Sequence, residues 1–193
     1  MEKTEPLQYG KYYHIYNRGI NGSKLFYEDE NYNYFLKLYN IHITPVAETF
    51  AYCLMKNHFH FLVRIKEESE ITNNPPKQPH QYFSNLFNAY TKAINKKYNR
   101  TSSLFQRAFK RKLIDNELYL KNVILYINTN PLHHKISENY TNYKWSSYSE
   151  FISNAETIIN KEQVARWFND VQNFKETHQQ KSNIIDIENY LEL

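Results

Sequence analysis

Apolar and polar positions alternate along residues 12–17 (YYHIYN), and the run stops at Arg18-Gly19, which predicts a first strand. Across 30–42 the period changes. Tyr34, Phe35, Leu38, Tyr39 and His42 recur at three- and four-residue spacing, as on an amphipathic helix, and Pro45 closes it off. Strand-like runs over 46–55 and 58–66, separated by Lys56-Asn57, predict a hairpin. Residues 67–79 turn to Ser, Asn, Pro, Lys and Gln; Pro75, Pro76 and Pro79 predict a flexible loop. A long helix is predicted over 81–98, with Phe83, Leu86, Phe87, Tyr90, Ile94 and Tyr98 on one face. A strand over 103–114 follows. Asp115 or Asn116 then caps a helix over 117–130 that Pro131 ends. The order is βαββαβα, an α+β split β-α-β arrangement whose antiparallel sheet carries its helices on one face. Beyond it a short helix is predicted over 161–168, and the tail 181–193 has no clear period.

Composition narrows the chemistry. A chain of 193 residues, 41% hydrophobic and 23% charged, suits one soluble domain with an appendage. Three glycines, Gly10, Gly19 and Gly22, cannot write a Gly-rich phosphate loop, which argues against nucleotide-cofactor chemistry. The single Cys53 rules out an intramolecular disulfide framework and any CxxC knuckle, so a reducing cytoplasm is expected. No apolar run approaches membrane-spanning length, and the N-terminus lacks a signal-peptide core.

Charge is unevenly spread. Between residues 80 and 114 stand Lys92, Lys96, Lys97, Arg100, Arg107, Lys110, Arg111 and Lys112, with no Asp or Glu. Tyr and Phe side chains interleave with them. Cations for phosphates and rings for unpaired bases suit single-stranded nucleic acid, although some of those rings must be core.

The candidate chemistry lies in the hairpin. His58 and His60, two apart in a strand, project to the same face while Phe59 and Phe61 project to the other. That is half of a metal platform, or equally two strand histidines bonded to neighbours. On the predicted third helix Tyr126 and Asn130 are four apart and share a face. Asn130 offers a carbonyl ligand suited to Mg²⁺ or Mn²⁺, and Tyr126 a nucleophile for a polarised phosphodiester.

LMKNHFHFLV (54–63), YINTNP (126–131) and WSSY (145–148) together resemble the single-tyrosine HUH transposases, particularly the REP-associated tyrosine transposases, over roughly 12–151. The resemblance implies a ferredoxin-like or RRM-like transposase domain over 1–151, with 152–193 a partly helical C-terminal extension. It also implies a divalent metal on His58, His60 and Asn130, and cleavage of single-stranded or hairpin DNA by Tyr126 through a 5′-phosphotyrosine. FQRAFKRK (105–112) is similar to the family's basic strand. Asn128 departs from the His or Glu of many relatives, so its role stays open. Monomer and homodimer, and Tyr126 acting in cis or in trans, also stay open. The alternative is a non-cutting single-stranded nucleic-acid-binding protein of the same fold.

Overall fold

The computed structural model describes residues 6–71 and 78–181. The chain runs β1 (Tyr12–Arg18), α1 (Asp29–His42), β2 (Ala47–Met55), β3 (His58–Ile65), α2 (Pro79–Lys97), β4 (Lys110–Ile114) and α3 (Glu117–His133). Strand order is β2-β3-β1-β4 and every pairing is antiparallel, the ferredoxin-like arrangement expected from the βαββαβα order. β1 lies inside the sheet with partners on both sides, so residues at its two ends are held by both neighbours.

Strand alternation sorts the two faces. Phe59 and Phe61 of β3 point to α1 and α2: Phe35 lies 5.4 Å from Phe59, Phe87 5.5 Å from Phe59, and Tyr39 4.3 Å from Phe61, centroid to centroid. His58 and His60 point the other way, where Tyr126 of α3 meets His60 at 5.4 Å. Helices therefore cover both faces, not one as the sequence order suggested. The reason is visible in β2, which is buried at every position except Glu48 and needs cover on each side. Phe35 is the centre of the α1–α2 layer, touching Phe26, Phe59, Phe61 and Tyr90. Phe35→Ala is expected to cost about 3–5 kcal/mol in urea denaturation, with slope unchanged.

Two element bounds differ from expectation. β4 begins only at Lys110, because Ala108 takes a left-handed φ of 55° that interrupts extended backbone after an isolated bridge between Gly19 and Phe105. Helix α3 passes Pro131 and ends at His133. The proline falls in the last turn, where its missing N–H costs one bond and the His134 N–H still closes on the Asn130 carbonyl at 3.0 Å. The Asn116 side chain caps α3 by accepting from the Tyr119 N–H at 2.8 Å.

Three further helices follow: α4 (Ser147–Ile152), α5 (Lys161–Trp167) and α6 (Val171–Lys181), the last unforeseen in the sequence. This segment packs along the free edge of β2, where Asn160 N–H donates to the Thr49 carbonyl at 2.8 Å and Trp167 sits 4.8 Å from Phe50. Phe174 of α6 packs tilted against Phe151 and edge-on against Phe168, joining the same core. The predicted flexible loop falls partly, and the tail beyond 181 wholly, outside the described residues. Among the described residues no helix is long and apolar enough to cross a membrane.

Candidate active site

The register between strands brings the histidines together. His58 lies opposite Arg18 at the end of β1, His60 opposite Tyr16, and Tyr16 in turn opposite Lys110 of β4. One residue pair further along, His14 projects to the same face and reaches His60, Nε2 to Nδ1, at 2.9 Å. His58 is oriented from the other side: its Nδ1 is 2.7 Å from Asn57 Oδ1. A carboxamide oxygen only accepts, so His58 carries its proton on Nδ1 and turns a lone pair outward from Nε2. The Nε2 atoms of His58 and His60 are buried and make no hydrogen bond among the described residues, and neither does either polar atom of the Asn130 carboxamide, on a fully buried residue. Asn130 is close enough to His58 to favour its charged form, without closing a bond of good geometry.

Burial decides the charge state. It pushes His58 down to about 4, helped by the neighbouring His134 and Arg18, and holds His60 well below the ordinary imidazole value, with His14, His58 and His134 adding to it. Neutral imidazoles with outward lone pairs are the ligand form. Among the described residues no three His, Cys, Asp or Glu side chains gather as metal ligands. The donor set is therefore two imidazoles and the Asn130 carboxamide, and its orphaned buried donor atoms fit a divalent cation such as Mn²⁺ or Mg²⁺.

Tyr126 is 1% exposed, with its ring edge-on to His60 and 6.2 Å from the ring of His14. It does not line the open cavity of about 660 Å³ beside the histidines, whose walls include His58, His60 and His134. The same walls carry Arg18, Lys24, Lys56 and Lys110, and among the described residues no Asp or Glu lines them and none of these four cations makes an ion pair.

The basic span does not form one surface. Lys92 and Lys96 are exposed on α2, in the layer across the sheet from the histidines. Lys97 is bound by Glu28 and Glu30 at 2.6 and 2.7 Å, and Arg100 donates to the Tyr27 hydroxyl at 2.7 Å. Arg107 is exposed in the irregular stretch before β4. Arg111 lies 4.3 Å from the Phe109 ring centre, while Lys110 and Lys112, alternating with it, share the histidine face. Arg18, Lys24, Lys56, His14 and His134 escaped notice in the sequence. The available signal was position: Arg18 and Lys56 flank turns at the strand ends beside His58.

Asn128 points away from all of this. Two residues from both Tyr126 and Asn130, it lies on the other side of α3. Its Oδ1 accepts from Ser147 Oγ at 2.6 Å, and its Nδ2 donates to His178 Nε2 at 3.0 Å. Ser147 Oγ accepts in turn from the Tyr52 N–H at 2.9 Å, and His178 Nδ1 donates to the Phe174 carbonyl at 2.7 Å. Every member is buried and satisfied, so Asn128 ties α3 to α4 and α6.

No curated protein matches this chain. Among solved structures it is similar to a REP-associated tyrosine transposase bound to a REP hairpin. The TM-score is 0.62 at 14% identity, over 83% of this chain and 94% of that one, a likeness of fold. The family model described as IS200-like transposase matches residues 8–130, which span β1 through Asn130 and so contain both histidines and Tyr126; the chain belongs to that family.

Proposed function

We propose that the protein is a metal-dependent single-stranded DNA endonuclease and strand transferase that acts through Tyr126 on hairpin-bearing DNA. The observation that carries this reading is the pair of imidazole Nε2 atoms of His58 and His60 that find no partner among the described residues, beside a cavity lined by four cations and, among the described residues, by no acid, and against the ring of Tyr126. His58, His60 and Asn130 would hold the cation, which when bound supplies charge stabilisation at the scissile phosphate. Arg18, Lys24, Lys56 and Lys110 bind flanking phosphates of the strand. The Tyr126 ring turns from its packed position toward the cavity as DNA enters. Its Oη bonds to phosphorus, the bond from phosphorus to the 3′ oxygen breaks, and the phenolic proton ends on that oxygen. The products are a 5′-phosphotyrosine and a free 3′-hydroxyl. Because the bond exchange is nearly balanced in energy, another 3′-hydroxyl can reverse it and join strands without a nucleotide cofactor. The test is a labelled hairpin oligonucleotide incubated with protein and Mg²⁺ or Mn²⁺, with and without chelator, on a denaturing gel. A protease-sensitive shifted band that needs metal supports the reading. Salt-dependent binding with no such band on any hairpin favours the non-cutting binder.

The cations around the cavity give a second test. Lys56→Ala and Lys110→Ala are each expected to weaken hairpin binding and to reduce the slope of log affinity against log salt by about 1. Lys92→Ala and Lys96→Ala, on the far layer, are expected to change that slope less. Fluorescence anisotropy titrations at several salt concentrations distinguish the two groups.

A further inference from the structure

We infer that His14 is a positioning residue for the metal site, setting which nitrogen of His60 carries the proton. The inference rests on the metal-binding reading of His58, His60 and Asn130. His14 is fully buried on β1, and its Nε2 is 2.9 Å from Nδ1 of His60, with their rings near parallel at 19°. Tyr16 stacks on His14 at 4.8 Å, and Tyr126 closes on it edge-on, so the imidazole is held in place by rings on two sides. The outer nitrogens of the pair, His14 Nδ1 and His60 Nε2, are buried and make no hydrogen bond among the described residues.

Two neutral imidazoles joined in this way have two arrangements. In one, His14 Nε2–H donates to His60 Nδ1, and the second proton sits on His60 Nε2, which blocks that atom as a ligand. In the other, His60 Nδ1–H donates to His14 Nε2, the second proton sits on His14 Nδ1, and His60 Nε2 presents a lone pair. Each arrangement strands one N–H and one lone pair, and both hold two protons, so neither is strongly preferred without a ligand. A cation selects the second. No proton leaves the pair: the bridging proton crosses from His14 Nε2 to His60 Nδ1, and the other passes from His60 Nε2 to His14 Nδ1. A ligating histidine is ordinarily steadied by a carboxylate, carbonyl or water accepting from its other N–H, and here an imidazole performs that task. His58 needs no such partner, since Asn57 Oδ1 already fixes its proton on Nδ1.

The experiment compares parent, His14→Phe and His14→Gln. Phe keeps a ring without an acceptor, and Gln returns an acceptor oxygen near the position of Nε2. Thermal unfolding checks that each variant folds. Calorimetric titration with Mn²⁺ in the absence of DNA is expected to give about 10- to 100-fold weaker binding for His14→Phe, with recovery in His14→Gln. In histidine-labelled protein, the nitrogen shifts of His60 on addition of diamagnetic Zn²⁺ are expected to report a proton on Nδ1 in the parent. Equal Mn²⁺ affinity in folded His14→Phe and parent overturns the role of His14 and leaves the metal reading standing. A parent that takes up no metal overturns both.

Discussion

Tyr126→Phe is expected to abolish the covalent protein–DNA band while hairpin affinity stays within about twofold of the parent. The phenol oxygen is the only atom removed, and the ring still packs edge-on against His60. Loss of the atom that forms the bond leaves no route to the phosphotyrosine, so the rate should fall on the order of 10⁴-fold or more. Cleavage by the variant at the parent rate would sink the nucleophile assignment. Thr129 Oγ1, another hydroxyl on α3, is spent on the Leu125 carbonyl at 2.8 Å.

Acid is expected to loosen the C-terminal helices before neutral conditions do. His178 is neutral in the fold: Nδ1 donates to the Phe174 carbonyl, Nε2 accepts from Asn128, and the rings of Tyr140, Tyr148, Phe168 and Phe174 surround it. Burial lowers its pKa from the ordinary 6.5 to about 4, and protonation would set a second N–H against that of Asn128. Between those two values the unfolded chain binds more protons than the folded one. Stability from this group is thus complete above pH 6.5 and falls as pH drops toward 4, by roughly 3 kcal/mol over the window. Urea denaturation of parent and His178→Leu at several pH values isolates the effect. The variant starts weaker at pH 7, having orphaned the Asn128 N–H, and should show a shallower fall on acidification. Parallel curves would remove His178 as a source of the pH dependence.

What the sequence disclosed follows from how local each signal is. The HFH alternation fixed the faces of β3, and a single turn of helix joined Tyr126 to Asn130, so both features were readable without neighbours. The antiparallel sheet followed from the βαββαβα element order. His14 was invisible as a partner because its contact with His60 depends on which strand lies beside β3, a fact of register rather than of spacing. The basic span was legible as a run but not as a surface. Eight cations close in sequence straddle a helix, an irregular stretch and alternating faces of β4, while the cations at the cavity come from three distant segments. Helix α6 was missed because its apolar side is only Phe174 and His178 among polar residues, too narrow a stripe to register as a period.

The buried chain of donors from Tyr52 through Ser147 and Asn128 to His178 has a consequence for where the molecule can be cut. The family match stops at residue 130, yet the back of α3 is finished by side chains up to 48 positions later. A fragment trimmed to the matched stretch would bare the edge of β2 and leave Asn128 facing water where a protein partner had been. The stretch that holds the candidate site and the stretch that packs into one core have different boundaries, and expression of the former alone is expected to yield aggregation-prone material.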